Sequence, residues 1–354
     1  MTRFMLIALL LVADWPHWLG PNQNGTAVDP GAFAGKASLR LEKAWSYPLE
    51  TGQAGMSVAD GRVFTLFREG ADDWAIALRA ETGALVWRVK LDPGVESPFL
   101  TGPPSTPAFD AGRVFTLSSA CRLRAHDAAS GRALWEVDFK GRFGTSFPAG
   151  CASSPLTREG RLYVQVGGRE DHRLAAFDPT SGEVLWTAKG KERTVNSSPV
   201  AASLGGVRQI LVNHTNAGRS GVTGFRLSDG AVLWSLTLAE GFSFDSPMAV
   251  DADAVSLSTV NDTQLLRVVR QGDNWTATPG WRSTDLQAGI GPPVAHGGHL
   301  FGFGGDYLVS VDAATGQTDW KEKIYPGSLI VVDGHLVVLS ASAGLLREIG
   351  RAHV

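Results

Sequence analysis

An all-β fold is predicted, a β-propeller of seven four-stranded blades, or eight if the chain continues past Val354, and three observations predict it. The first is a period. A Gly-x-x-x-Trp stretch runs from Gly83 to Trp87, Gly131 to Trp135, Gly182 to Trp186, Gly230 to Trp234 and Gly316 to Trp320, with a degenerate copy ending at Trp281 and an isolated Trp45 ahead of them. Successive Trp residues lie 39 to 51 positions apart, the size of one blade and too long for most helical solenoid repeats. The second is a recurrent turn. Asp60-Gly61, Ala111-Gly112, Glu159-Gly160 and Asp333-Gly334 each precede a β-rich run, and Gly accepts the positive φ that a tight hairpin needs. The third is Pro107, Pro155, Pro199, Pro247 and Pro293 at the head of the first strand of successive units, where no N–H need enter a ladder.

The elements follow in chain order. Arg3 ahead of the apolar run 4–12 and the small Ala13 predicts a signal peptide over residues 1–13. That run is too short to span a bilayer as a helix, and no later segment approaches the ~20 apolar residues required. No Cys follows it, so a lipid anchor at the usual bacterial position is not expected. Residues 14–44 read as an extended N-terminal segment and 45–348 as the propeller. Trp45 is expected to lie on the strand that closes the last blade by pairing the two termini, since Ser328 to Gly344 begins a blade with only two strands. Residues 349–354 read as a truncated or artefactual tail, resembling translated sequencing-adapter DNA.

Composition bounds the function. With 44% hydrophobic and 19% charged residues over 354 positions, the chain can bury a large core, and a net charge of −3 without any Lys/Arg run argues against nucleic acid as a partner. The repeated Trp residues (Trp45, Trp87, Trp135, Trp186, Trp234, Trp281 and Trp320) read as structural plugs docked between adjacent blades. Asp127, Asp178 and Asp312, each four residues before the repeat Gly, read as caps of the following turn, because a carboxylate there accepts backbone N–H bonds.

The repeats closely resemble the pyrroloquinoline-quinone-type (PQQ-like) propeller repeat of the quinoprotein dehydrogenase-like superfamily, with its Ala-x-Asp-x-x-Thr-Gly-x-x-x-Trp tryptophan-docking pattern. Residues 174–186 and 308–320 match it well, and the resemblance runs from Trp45 to Gly344. The opening Asp14-Trp15-Pro16-His17-Trp18-Leu19-Gly20-Pro21 is similar to the start of secreted bacterial members, which implies export and cleavage near Ala13. Quinone enzymes of the family carry a disulfide between adjacent cysteines, a Ca²⁺ held by Glu and Asn, and a catalytic Asp. Here Cys121 and Cys151 stand thirty positions apart and no motif matches the metal ligands or the base. The chain is also similar to the propeller subunit of the outer-membrane β-barrel assembly machine, a periplasmic scaffold.

No catalytic, cofactor-binding or metal residue is therefore assigned. Loops leading into innermost strands cluster at one mouth of a propeller channel, which makes Glu96, Arg142, Asn196, Asp245 and Asp285 the candidate binding groups. Cys121 and Cys151 form either a disulfide, allowed in an oxidising compartment, or two separate buried thiols. His296 and His299, without a third ligand, read as plain turn residues rather than a zinc site. The expected function is a non-enzymatic periplasmic or secreted scaffold that engages a protein or glycan partner through its loops. The alternative is a dehydrogenase of alcohols or sugars using PQQ and Ca²⁺.

Overall fold

The computed structural model describes residues 14–28, 43–98, 100–147, 149–168, 172–190, 192–195, 197–287, 291–340 and 346–351. The predicted signal peptide, Asn196 and residues 352–354 lie outside them. The described chain folds into seven separate antiparallel sheets that succeed one another in sequence. The first runs from Ser57–Ala59 to Leu85–Pro93, the second from Ala108–Asp110 to Ala133–Asp138, and the third from Leu156–Arg158 to Val184–Lys189. The fourth spans Arg193–Thr194 to Val232–Thr237, the fifth Met248–Ala249 to Asn274–Ser283, and the sixth Val294–His296 to Thr318–Lys323. Apart from the two-residue pieces Thr26–Ala27 and Arg193–Thr194, strands pair antiparallel with their sequence neighbours, as hairpins and meanders.

Turn chemistry sets the register. Both central residues have positive φ in the hairpins Asp60-Gly61 (50° and 66°), Ala111-Gly112 (46° and 75°), Glu159-Gly160 (49° and 69°) and Asp333-Gly334 (47° and 76°), the twist-matched geometry of a two-residue turn. Each innermost strand of the second to sixth sheets starts at the residue after the anticipated proline. Asp127, Asp178 and Asp312 cap the later turn. Asp178 Oδ1, for instance, accepts the Thr180 and Ser181 N–H groups at 2.7 and 2.9 Å, and these bonds hold its carboxyl below the usual range.

Between sheets the indoles do the packing. The Trp87 ring lies on Gly131 of the next sheet, where a Cβ would come within 2.7 Å of it, and its Nε1–H donates to the Ala128 carbonyl at 2.9 Å. Trp135 meets Gly182 and the Pro179 carbonyl in the same way, and Trp281 meets Gly316 and the Ala313 carbonyl. Trp186 lies on Gly230. Trp234 departs from the pattern, because the fifth sheet joins its last two strands by a two-residue turn at Gly272-Asp273 and offers no repeat glycine; its Nε1–H donates instead to Gln209 Oε1 at 2.7 Å.

Trp45 corrects one expectation. It lies outside any strand, yet its indole sits on Gly83 and donates to the Ala80 carbonyl at 2.8 Å, in the manner of Trp87. The last sheet is completed by other residues. Leu346–Arg351 forms its outer strand, and Thr26–Ala27 adds parallel to Gly327–Val332 on its inner side. A parallel N-terminal strand carries no turn signal to the strand it joins, and this explains why the spacing of Trp residues pointed elsewhere.

That strand ends a strap over residues 14–27 that touches all seven sheets. Trp15 exchanges two backbone bonds with Val58 (2.7 and 2.8 Å), the Pro16 carbonyl accepts from Phe109 N–H (2.7 Å), and Gln23 Oε1 accepts from Ala201 N–H (2.7 Å). The Pro21 carbonyl accepts from Arg158, and Trp18 and Leu19 pack with Val200, Met248 and Ala295. Because one short segment reaches the innermost strand of every sheet, those strands face a common axis. The strap closes the hairpin-turn end of that axis.

Candidate functional site: the open end of the axial channel

Opposite the strap, the segments leading into the innermost strands share a tripeptide. Ser105-Thr106-Pro107, Ser153-Ser154-Pro155, Ser197-Ser198-Pro199 and Asp245-Ser246-Pro247 occupy equivalent places in the second to fifth sheets. The residue before each proline is pushed toward extended backbone, which turns its side chain back on the neighbouring sheet. Hydroxyl oxygens then accept N–H bonds in series. Thr106 accepts from Gly55 (3.0 Å), Ser154 from Thr106 (3.0 Å), Ser198 from Ser154 (2.9 Å) and Ser246 from Ser198 (3.1 Å). This belt stitches five sheets together and ends where Pro292 replaces the hydroxyl.

Above the belt the two sides of the mouth differ. Ser57↔Phe64, Ala108↔Phe115, Leu156↔Tyr163, Val200↔Leu211, Met248↔Ser256 and Val294↔Phe301 are equivalent pairs of the first six sheets. Two positions beyond the second member stand Leu66, Leu117, Gln165, Asn213, Ser258 and Phe303. The third to fifth sheets therefore present polar groups where the others present apolar ones. Gln165 Nε2 donates to Ser197 Oγ (2.9 Å), and Asn213 Nδ2 donates to the carbonyls of Ser243 (3.1 Å) and Asp245 (2.9 Å). On the apolar side a cavity of about 490 Å³ is lined by Met56, Pro292, Phe303, Leu329 and Leu339, with Trp15 and Trp18 of the strap.

Among the four candidates that are described, Asp245 is the one in the tripeptide at this mouth. It replaces the serine of the tripeptide, its Oδ2 is buried without a hydrogen-bond partner, and burial pushes its carboxyl up to about 7. Glu96 is exposed on the connection from the first to the second sheet. Two candidates are corrected. Arg142 lies on the short helix Phe139–Phe143, beside Glu136, Glu183 and Val184 at the outer rim between the second and third sheets. Asp285 is held by the outermost strand of the sixth sheet, accepting from Thr318 Oγ1 (2.6 Å) and pairing with Lys321 (2.6 Å). In both, the connection swings outward across its sheet before it reaches the axis, and Leu286 is buried in that crossing. Asn196 is not described.

Cys121 and Cys151 are bonded to each other with their Cα atoms 5.1 Å apart, both fully shielded from solvent. The bridge ties the turn after the second strand of the second sheet to the segment leading into the third, and Cys151 N–H donates to the Ser119 carbonyl at 3.1 Å. Ser119 in turn donates to the buried Asp73, which also pairs with Arg68 at 2.8 Å. His299 pairs with Asp319 at 2.9 Å.

A family model described as outer membrane protein assembly factor BamB matches residues 40–137 and 71–280. The chain belongs to this family. Among curated relatives, the BamB of Yersinia pestis is 26% identical over 249 residues, 66% of this chain and 60% of that protein, and the BamB of Moranella endobia is 24% identical over 250 residues, 66% and 61% respectively. The match thus spans about three fifths of those relatives. In structure, the chain is similar to BamB from Moraxella catarrhalis, with a TM-score of 0.63 at 20% identity over 86% of this chain and 85% of that one. A europium-containing methanol dehydrogenase gives 0.50 at 12% identity over 93% and 88%. The fold is that of a PQQ-like β-propeller, shared by BamB-family proteins and quinoprotein enzymes alike, so the fold alone does not choose an activity.

Proposed function

We propose that this chain is a seven-bladed, non-enzymatic scaffold of the periplasm or secreted space, which holds a protein partner belonging to outer-membrane β-barrel assembly. The BamB family match carries this reading. Two features support it. The disulfide between buried Cys121 and Cys151 agrees with an oxidising compartment, and it joins residues thirty apart rather than the adjacent pair of the quinone enzymes. The seven sheets, all reached by one strap, agree with a ring of seven blades rather than eight. A protein partner is favoured over a glycan because the relatives are named for an assembly role.

Co-purification from the native cell envelope tests the reading. The expected result is recovery of the chain with β-barrel assembly proteins in fixed proportion. Recovery of the chain alone, together with normal barrel insertion in a strain lacking it, overturns it. Titration with PQQ and Ca²⁺ separates the enzyme alternative, for which saturable heat in the micromolar range is the signature.

A further inference from the structure

We propose that Asn24-Gly25 in the strap is a self-modification site that the closed ring holds in check: when the strap leaves its seat, the pair converts to an isoaspartyl linkage and the strap cannot dock again. It is the only Asn-Gly pair in the chain. The chemistry is intramolecular. The Gly25 amide nitrogen gives its proton to a solvent base and attacks the side-chain carbonyl carbon of Asn24, unhindered because glycine has no Cβ. The new N–C bond closes a five-membered succinimide, the Cγ–Nδ2 bond breaks, and ammonia leaves carrying the returned proton. Water then opens the ring. Cleavage at the side-chain carbonyl leaves an ordinary aspartate, and cleavage at the main-chain carbonyl leaves isoaspartate, with the backbone running through Cγ.

In the folded chain both reacting groups are held. The Gly25 N–H that must be lost donates to the Leu19 carbonyl at 3.0 Å, and the Gly25 carbonyl accepts from Val331 N–H at 2.9 Å. Gly25 is buried, with no room for a Cβ against Val294, and its φ is 73°. On the other side of the reaction, Asn24 Oδ1 accepts from Thr26 N–H (3.1 Å) and Thr26 Oγ1 (2.7 Å), which fixes the amide onto the residue beyond the glycine. Closing the succinimide requires the Gly25 nitrogen to swing onto Asn24 Cγ, and that motion breaks these bonds together. The holders belong to the strap itself, to the sixth sheet through Val294 and to the seventh through Val331, so the protection is complete only when the ring is closed. Conversion then runs through local opening of the strap.

The product acts as a latch. Isoaspartate puts one extra carbon into the backbone, about 1.5 Å of added chain. The Leu19 carbonyl and Val331 N–H hold Gly25 by its two ends, and a lengthened link cannot meet both while keeping Thr26 opposite Val331 and Ala27 opposite Val332. A chain whose strap stays out is thereby barred from closing. The site goes beyond the scaffold reading and does not depend on it, since it requires no partner.

Peptide mapping by mass spectrometry, with isoaspartate scored separately from aspartate, tests the inference on the whole chain incubated folded and in urea at one mildly alkaline pH. Asn24 is expected to convert at least tenfold more slowly in the folded chain, with the rate rising through the urea transition. Trp18→Ala, which empties the contact of the strap with Val200 and Met248, should raise the folded-state rate at least threefold. The urea series on the wild type makes the same comparison if that variant does not fold. Chains carrying isoaspartate at position 24 should not regain the native thermal transition on refolding, whereas Asn24→Asp, with an ordinary backbone and an acceptor for Thr26, should regain it. Equal rates in the folded and unfolded chain overturn the proposal, as does an unchanged rate in a folded Trp18→Ala chain. Native refolding of the isoaspartate form overturns the latch.

Discussion

Gly112 and Gly131 lie in the same sheet with the same φ of 75°, and alanine at the two positions separates backbone strain from indole packing. A Cβ on Gly112 meets nothing within 4 Å, whereas one on Gly131 comes within 2.7 Å of the Trp87 ring. The left-handed backbone costs an L-residue about 1–2 kcal/mol, partly offset by the lower entropy of alanine in the unfolded chain, so Gly112→Ala should lose about 1 kcal/mol. Gly131→Ala bears that loss and must also displace an indole that is 7% exposed and hydrogen-bonded to Ala128, which adds roughly 1–3 kcal/mol of overpacking. Urea titration of both variants, read as midpoint shifts at constant slope, measures the difference. In a Trp87→Ala background, itself about 3–5 kcal/mol less stable, the extra cost of Gly131→Ala should vanish. Equal losses at Gly112 and Gly131, or an extra cost that survives in that background, would refute the packing role of the indole.

Asp245 makes stability pH-dependent. Its carboxyl is raised from 3.8 to about 7, so the folded chain binds more protons than the unfolded one across that window and stability falls as pH rises through it. Asp245→Asn should flatten the slope between about pH 4 and 7 and stabilise the neutral protein by at most about 4 kcal/mol, checked by denaturant titration at several pH values. Replacing Cys121 and Cys151 by alanine removes a cross-link across thirty residues and should cost about 3–4 kcal/mol, with the wild type falling to match it in reductant. Trp18→Ala should cost about 2–4 kcal/mol in thermal unfolding, because it empties the contact with Leu19, Val200 and Met248 that seats the strap.

Repetition decided what could be read in advance. Period, Gly turns and leading prolines recur once per blade, so errors in one copy are corrected by the others, and the sheets fall where those signals place them. The turn-capping aspartates were legible for the same reason. What broke the repeat was not. Trp45 packs as expected, but the partner strand for the last sheet comes from Thr26–Ala27, two residues with no pattern of their own. Arg142 and Asp285 were placed by loop position alone, and nothing in a loop sequence states whether it crosses its sheet before turning inward. The serine belt was visible as Ser-Ser-Pro at 153–155 and 197–199, and its substitution by Asp245-Ser246-Pro247 was the available signal for a special carboxylate. The polar stripe of Gln165 and Asn213 required the strand register, which only the structure supplies.

The strap also sets an order of events. Thr26 and Ala27 are made well before their partners Val331 and Val332, which come about 300 residues later. Until those residues arrive, Trp15 and Trp18 have no complete surface to cover, and the hydrogen bond from Val331 N–H to the Gly25 carbonyl has one end missing. Individual blades are local meanders and can form as they emerge, whereas joining the first residues to the last must wait for the whole chain. The chain therefore forms as a string of separable units and becomes a single cooperative body only when the sheet holding Gly327–Val332 takes hold of Thr26–Ala27.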